Sequence, residues 1–341
     1  MKKSRVSIFD IAQELGVSPS TVSRALNNNM AISERMRSRV QSVANKMNYI
    51  PNNGARQMKT GLNRTIGVIV PVISRNFFAS VIEGIEDYAK LQDYDVIICQ
   101  SKDILDIEAK IVNSLLGKVD GIIISLSEEC GARTHFDILN SLNIPFVLFD
   151  RSERLANAST VTVDDYLGAK MAIEHLISTG RRRIFHFAGS QSVSIWRNRQ
   201  RGYTDAMQSA GIEVERDWLH EAKTNKAEGE SYAEWLIERA AEGIALPEAI
   251  FCSGDYAALG ILLSFKKHNI RVPEDVALVG FANEPFCEII TPSLSSVEQH
   301  SQRMGELACK SLLERMNGEK PLNIILEPEI IIRGSSADHS Y

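Results

Sequence analysis

The side chains best suited to chemistry near the start of the chain lie on a helix predicted to begin after Ser18. Serine at the N-cap followed by Pro19 at the first helical position is a typical helix start. The apolar residues of this segment would face inward and leave a polar outer face. That face carries Ser20, Thr21, Ser23 and Arg24. An arginine can donate two hydrogen bonds to one guanine edge, worth about 1–3 kcal/mol of discrimination, so the pattern suits contact with DNA bases.

Two more helices are predicted to position this one. Ser7 and Asp10 have the spacing of a capping pair for a first helix, and Gly16 supplies the turn that follows it. Ser33 would cap a third helix, whose apolar residues recur at helical spacing. Two short helices around a glycine turn, closed by a third, are typical of a helix-turn-helix whose second helix enters the major groove. A generic three-helix bundle is the alternative interpretation.

The distribution of charge favours the DNA-binding interpretation. Residues 1–60 contain ten Lys and Arg against three Asp and Glu, a balance of +7, whereas the other residues carry 28 bases and 40 acids, a balance of −12. A basic head on an acidic body is expected of a protein with one end that approaches polyphosphate, although a solvated basic surface would look similar. The candidate DNA-binding residues of this head are Ser7, Ser18, Pro19, Ser20, Thr21, Ser23, Arg24 and Asn27.

From Thr65 onward, short β-branched runs alternate with amphipathic segments, which predicts parallel sheets covered by helices on both faces. The predicted strands fall in two series, Thr65–Val70, Asp95–Cys99, Gly121–Ser125 and Pro145–Phe149, then Val161–Val163, Arg183–Ala188, Ala249–Cys252 and Val276–Phe281. Two series predict two doubly wound lobes with a ligand cleft beyond the carboxyl ends of the strands. Ser125 and Asp150, at two strand ends, could bond ligand hydroxyls, and Trp196 could stack on a sugar face.

Several protein classes are excluded by composition and motifs. Hydrophobic residues make up 44% and charged residues 24%, as in an ordinary globular protein, and apolar runs fall far short of the about 20 residues that cross a bilayer. The start of the chain lacks the apolar segment of a secretory signal, so we expect a cytoplasmic protein. No two of the five cysteines lie within ten residues, and the seven histidines are scattered. Because nucleotide-binding, serine-hydrolase and metalloprotease motifs are lacking, we expect no enzyme activity, metal or cofactor.

A family resemblance is carried by the run VSIFDIAQELGVSPSTVSRALN over 6–27 and by NYIPN over 48–52. Both resemble the lactose/galactose repressor family of bacterial transcription regulators, and the match continues along the whole chain. The resemblance implies a helix-turn-helix headpiece over 1–48, a hinge helix and linker over 49–62, and a periplasmic-binding-protein-like effector-binding and dimerisation body over 63–341. It also implies a first lobe of about 63–160 plus 293–321 and a second lobe of about 161–292 plus 322–341, with crossings near 160, 292 and 322.

The resemblance gives the hinge segment its own role on DNA. It places Ala55 and Lys59 against the minor groove and its phosphates, and Met58 as an apolar wedge that unstacks the central base step. Gly54 departs from the family, in which a β-branched residue or alanine is commoner. Glycine costs about 1 kcal/mol of helix propensity relative to alanine, so we expect this hinge to depend strongly on DNA and dimer contacts.

The resemblance also assigns residues to the ligand cleft. Aromatic rings at Phe77 and Phe78 would lie against the effector, Arg197 matches the effector-binding arginine, and Asp255 matches the family's Asn/Gly-Asp step. Ala282 stands where sugar-responsive members have an aspartate, so Asn283 would have to take over that contact. The expected effector-binding set is Phe77, Phe78, Ser125, Asp150, Trp196, Arg197, Asp255 and Asn283. The effector could be a sugar, a sugar acid or a sugar phosphate.

The resemblance therefore implies a sequence-specific DNA-binding transcription regulator, which we expect to be a repressor. Its partners would be near-palindromic double-stranded operator DNA, a small-molecule effector and a second copy of the chain, without a membrane. No leucine heptads follow Arg333, so a homodimer is expected rather than a tetramer. Two alternatives stay open: control by a phosphorylated partner protein, and a two-lobe small-molecule binding protein without DNA function.

Overall fold

The structure, a computed structural model, describes residues 6–49, 61–129, 131–153 and 155–337. The chain divides into two compact units, Met1–Asn63 and Arg64–Tyr341, which are treated separately below as the headpiece and the body. No helix within the described ranges is long and apolar enough to cross a membrane.

Three helices form the headpiece, each beginning after a serine. They are α1 (Ile8–Leu15), α2 (Pro19–Leu26) and α3 (Glu34–Lys46). The predicted N-caps are confirmed, because the side chains of Ser7, Ser18 and Ser33 each accept a hydrogen bond from a backbone N–H in the first turn. Gly16 ends α1 with a φ of 66°, a left-handed conformation that glycine adopts without strain. The buried core of the headpiece consists of Ile11, Ala12, Val22, Ala25, Val40 and Ala44.

Two six-stranded sheets form the described part of the body. The first contains β1 (Thr65–Val70), β2 (Asp95–Gln100), β3 (Gly121–Ile124), β4 (Phe146–Phe149), β5 (Ser159–Val163) and β11 (Asn323–Leu326). Its strands are all parallel, in the order β11-β5-β4-β3-β1-β2. Apolar clusters on both faces bury its central strands, which explains why those strands are continuous apolar runs.

The second sheet has the same winding. Its strands are β6 (Ile184–Ala188), β7 (Leu219–Glu221), β8 (Ala249–Cys252), β9 (Ala277–Phe281), β10 (Ser295–Glu298) and β12 (Glu329–Ile331). They lie in the order β12-β10-β9-β8-β6-β7. Among the described strands of this sheet, β10 and β12 alone pair in antiparallel orientation. In both sheets the strand order reverses beside the first strand, and ligands bind at such a switch point in open α/β sheets.

Helices cover both sheets. They are α4 (Asn76–Leu91), α5 (Leu105–Leu115), α6 (His135–Ser141), α7 (Asp165–Ser178), α8 (Ser194–Ser209), α9 (Lys226–Ala241), α10 (Asp255–Lys267), α11 (Phe286–Ile289) and α12 (Ser301–Met316). A short 3-10 turn over Arg216–Trp218 leads into β7. The prediction of two doubly wound lobes is therefore confirmed.

The expected lobe boundaries were wrong. β5 was assigned to the second lobe, yet it pairs with β4 in the first sheet, and β11 pairs with β5 rather than with the second sheet. β10 was expected to return to the first lobe, but it pairs with β9. The chain thus crosses between lobes after Val163, after Glu298 and after Leu326. Backbone pairing between distant strands sets these points, and the periodicity of one segment carries no information on its partner strand.

Close backbone packing holds α12 on the first lobe. A Cβ built at Gly84 of α4 would lie 2.1 Å from the carbonyl oxygen of Gln302, and one at Gly305 of α12 would lie 2.0 Å from that of Val81. Real Cβ atoms do not approach a backbone oxygen so closely. The two glycines therefore allow the returning helix to dock against α4.

We predict that Gly84→Ala destabilises the body by about 2 kcal/mol, because the forced separation of α4 and α12 outweighs the gain in helix propensity. The measurement is the midpoint of thermal unfolding, which should fall by several degrees. Glu83→Ala, at an exposed position of the same helix, is the matched control and should change stability by less than about 0.5 kcal/mol. An unchanged midpoint for Gly84→Ala would show that the helices are not in close contact there.

Candidate functional site

The predicted reading helix α2 presents a short polar face to solvent. Ser20 and Arg24 are exposed, and Arg24 makes no hydrogen bond or ion pair within the described headpiece. Ser18 holds the start of the helix, because its Oγ accepts from the N–H of Thr21 at 3.2 Å and lies 2.8 Å from Oγ of Ser20. A guanidinium without partners in the protein can offer its planar set of N–H donors to a base edge.

Like Ser18, two other residues of the expected DNA-binding set are engaged in helix ends. Ser7 forms a capping box with Asp10, whose backbone and side-chain hydrogen bonds with Ser7 lower the pKa of that carboxyl. Asn27 donates from Nδ2 to the carbonyl of Ser23 at 2.7 Å. Pro19, Thr21 and Ser23 are partly exposed along α2. Of the expected hinge contacts, Ala55, Met58 and Lys59 lie outside the described residues.

A cleft between the two lobes of the body gathers residues that follow the carboxyl ends of strands from both sheets. Its free volume is about 50 Å³. The lining residues are Arg75, Phe77, Phe78, Asp150, Arg151, Ile195, Trp196, Arg199, Thr224, Ser253, Gly254, Asp255, Tyr256, Phe281, Ala282, Glu284 and Gln299. Five rings and six charged groups around one void are suited to bind a small polar ring-shaped molecule.

The buried guanidinium of Arg199 lies at the centre of the second-lobe wall. It is 3% exposed, and its Nε donates to Oδ1 of Asp165 at 2.7 Å. Its Nη1 donates to the carbonyl of Ser253 at 2.7 Å, and its Nη2 to Oε1 of Gln299 at 3.3 Å. The guanidinium carbon also lies 3.6 Å from the ring centroid of Phe281. Arg199 therefore connects the start of α7, the end of β8 and a crossover between lobes.

Asp165 is the counter-ion of Arg199 and is itself buried. Burial raises the pKa of its carboxyl to about 6, an effect larger than the opposing one of Arg199. Among the cations of the described cleft, the guanidinium of Arg199 alone stabilises the ionised form of Asp165. The pair therefore depends on both members being present.

The structure places Arg197, the expected effector-binding arginine, outside this cleft. Arg197 is exposed, and its Nη1 donates to the carbonyls of Gln191 at 2.9 Å and Ser192 at 2.6 Å. It lines a separate cavity of about 550 Å³ between the lobes. Residues two apart on a helix point about 200° away from each other, so only Arg199 of this pair can face the cleft. The buried positions of α8 recur at helical spacing, and that periodicity would have identified Arg199 from the sequence.

Two more residues of the expected effector-binding set contact other protein groups and do not line the void. Ser125 is fully buried outside the cleft wall, and its Oγ donates to Oδ2 of Asp150 at 3.4 Å. Asn283 cannot replace the contact missing at Ala282, because its Nδ2 donates to Glu298 at 2.7 Å and its Oδ1 accepts from Arg333 at 2.8 Å. Asn283 therefore joins β10 to the C-terminal segment.

The other expected cleft residues do line the void. Phe77 and Phe78 are buried at the start of α4 with their rings at 76°, and Trp196 is buried beside Arg199. Asp150 lies at the end of β4 with a φ of 57°, and burial raises its pKa. Asp255 accepts from Oγ of Ser296 at 2.6 Å and from the N–H of Glu284 at 2.8 Å, so its oxygens are already bonded.

Glu284, which was not predicted from the sequence, belongs to the second lobe and lies in the cleft just after β9. The residue is 3% exposed, and its Oε2 has no hydrogen-bond partner. Burial, followed by the charge of Asp255, raises the pKa of this carboxyl to about 7, although N–H groups of Phe77 and Asn76 lower it. The sequence carried one signal for Glu284, namely that an acidic residue stands two positions after Ala282.

Comparison with known proteins identifies both units. Residues 7–52 match the model of bacterial regulatory proteins of the lacI family, and residues 173–336 match a periplasmic binding protein-like domain. The HTH-type transcriptional repressor PurR of Vibrio cholerae serotype O1 is 30% identical over 339 residues, which cover 97% of this chain and 98% of that protein. The chain belongs to the lacI family of bacterial regulatory proteins.

Other lacI family members are similar over the whole chain. The ribose operon repressor of Haemophilus influenzae is 29% identical over 330 residues, which cover 96% of this chain and 97% of that repressor. The Lac repressor dimer, solved with operator and the anti-inducer ONPF, has the same fold with a TM-score of 0.86, at 23% identity over 98% of this chain and 100% of that one. This family member is thus a DNA-binding transcription regulator.

We predict that Arg199→Ala lowers the free energy of unfolding by about 3–5 kcal/mol, because it leaves Asp165 buried without its counter-ion. The loss should be smaller at pH 5 than at pH 8, since an unpaired Asp165 takes up a proton at the lower pH. Urea unfolding at the two pH values measures both effects. Arg197→Ala is the matched control and should cost less than about 0.5 kcal/mol. An equal loss in the two variants would contradict the assignment of Arg199.

Proposed function

We propose that the chain is a homodimeric repressor that binds a near-palindromic operator and releases or tightens its grip when a small molecule enters the cleft between the lobes. The observation that carries the proposal is a capped helix with a free guanidinium, Arg24, in a chain whose body gathers five rings and six charged groups around one void between its lobes. Two-fold symmetry of the protein requires two-fold symmetry of its site.

The reading chemistry follows from the face of α2. Ser20 and Arg24 lie one helical turn apart and are both exposed, so they can reach neighbouring base pairs from one position in the groove. The excess of seven positive charges over residues 1–60 supplies the contacts to phosphate, which hold the helix in register without selecting sequence. Specificity therefore falls on few side chains, and affinity should depend strongly on salt.

We predict that selection from random duplex oligonucleotides with the full chain recovers a palindrome. The same selection with Arg24→Ala should relax the preference at one base pair in each half-site, and binding to the selected site should weaken by about 1–3 kcal/mol. Arg39→Ala, an exposed arginine of α3, is the control: any loss it causes should be uniform across sequences. Recovery of no palindrome would refute the proposed function.

The edge of the first sheet is the surface that we assign to the dimer. β2 is an edge strand whose Ile97 and Ile98 are 37% and 41% exposed, and Ile73 beside its end is 53% exposed. Ile73 lies near the end of β2, because its N–H donates to Oε1 of Gln100 at 3.3 Å. An apolar edge strand favours pairing with another chain unless something covers it. The Lac repressor, which has this fold, is a dimer.

We predict that Ile98→Glu converts the dimer into a monomer of 37.9 kDa in sedimentation equilibrium and weakens operator binding in parallel. A buried carboxylate at the contact would cost more than the contact provides. Ile325→Glu, on the edge strand at the other end of the same sheet, is the matched control and should stay dimeric. A dimeric Ile98→Glu variant would exclude β2 from the interface.

A further inference from the structure

The charges that line the cleft are mostly neutralised within the protein. Arg199 is paired with Asp165 at 2.7 Å, and Arg151 is paired with Asp103 and with Glu128, the latter at 3.1 Å. Among the described residues of the wall, the remaining cation is Arg75, whose guanidinium forms no hydrogen bond or ion pair. An anionic ligand would thus find one available guanidinium.

The acidic side chains of the cleft wall differ in how many hydrogen bonds they accept. Three carboxyl groups line the void, on Asp150, Asp255 and Glu284. Asp255 is bonded to Ser296 and to the backbone of Glu284, and Asp150 accepts one long bond of 3.4 Å from Ser125. Oε2 of Glu284 has no partner at all in the described structure, although the side chain is buried. A buried acceptor without a donor is costly, which makes it the natural contact for a ligand donor.

The position of Glu284 joins the two lobes. It follows β9 of the second lobe, yet its carboxyl group faces the N–H groups of Asn76 and Phe77 at the first turn of α4 in the first lobe. Rings from both lobes surround the same void, namely Phe77, Phe78, Trp196, Tyr256 and Phe281. A flat ring bound among them would present the groups on its edge to Glu284 and Asp150.

We propose that Glu284 selects the ligand of this cleft: its free Oε2 accepts a hydrogen bond from a hydroxyl or amino group on an uncharged ring-shaped molecule, and its ionised carboxylate repels a phosphate or carboxylate group placed beside it. This inference rests on the proposed function and deepens it by naming the class of effector. Of the three arginines that line the void, Arg151 and Arg199 already have carboxylate partners, which leaves the guanidinium of Arg75 for an acidic group.

Binding should also be linked to pH through this group. The charged and titratable groups that face Glu284 are Asp255, Arg75, Tyr256 and Cys287. With its pKa raised to about 7, the carboxyl is mostly protonated at pH 6 and mostly ionised at pH 8. A ligand donor favours the ionised form, so affinity should rise about tenfold between these pH values.

The test is calorimetric titration of the full chain with matched probes. Hydroxyl donors are represented by D-ribose and D-glucose, amino donors by adenosine, and anions by ribose 5-phosphate, glucose 6-phosphate and glucuronate. We expect an uncharged or amino probe to bind at least about tenfold more tightly than the corresponding anion. Preference for ribose over adenosine, or the reverse, distinguishes the two donor types. Tighter binding of any anion than of its parent, or no binding by all donor probes, overturns the inference.

Variants test the residue itself. Glu284→Gln should weaken the best probe by about 10- to 100-fold and abolish the rise in affinity between pH 6 and pH 8. Glu213→Gln, an exposed glutamate of the second lobe, is the matched control and should keep both. Unchanged affinity and pH dependence in Glu284→Gln would assign selection elsewhere.

A ligand-free measurement supports the same test. Because the raised pKa of Glu284 means that the folded chain holds its proton up to about pH 7, wild-type stability should fall as pH rises from 5 to 8, relative to Glu284→Gln. Parallel pH profiles would contradict a buried, unpartnered carboxyl. Operator selection is independent of these outcomes: a chain that recovers a palindrome but fails here loses only the role of Glu284, whereas one that binds probes but no DNA loses the proposed function.

Discussion

The buried ion pair between Arg199 and Asp165 is the contact on which the cleft depends. One guanidinium holds the first residue of α7, the carbonyl that follows β8, and Gln299 at a crossover between lobes. Placing a charge there is expensive, since the pKa of Asp165 is raised to about 6, chiefly by burial, even beside Arg199. An ion pair of this kind can fix several segments of the chain in one relative arrangement. Here it orients the wall around which both lobes close.

In the proposed function, the cleft between the lobes acts as a switch. The chain crosses between the lobes three times within its described part, so a change in the angle between them must be taken up by short segments after Val163, Glu298 and Leu326. The closed void leaves Glu284 and Arg75, one from each lobe, without full partners. A ligand that binds both would stabilise one angle over another. Couplings of this kind are typically about 1–3 kcal/mol.

Much of this molecule could be predicted from its sequence, and the failures have a common cause. Local signals gave the headpiece: Ser7, Ser18 and Ser33 each cap a helix, as expected. Long-range pairing was not accessible, because the partner of β11 lies about 160 residues earlier in the chain. Asn283 shows the same limit at the cleft, since its partner Arg333 is 50 residues away.

The placement of Arg197 outside the cleft could be predicted from local information alone. Arg197 and Arg199 differ by 200° around α8, and the buried residues of that helix already mark the face that carries Arg199. The most direct test of the account is the thermodynamic coupling between cleft and operator. Operator affinity should be measured with and without a saturating cleft ligand, and ligand affinity with and without operator. The account predicts that each changes the other by the same factor, about 5- to 150-fold. A saturating ligand that leaves operator affinity unchanged would contradict it.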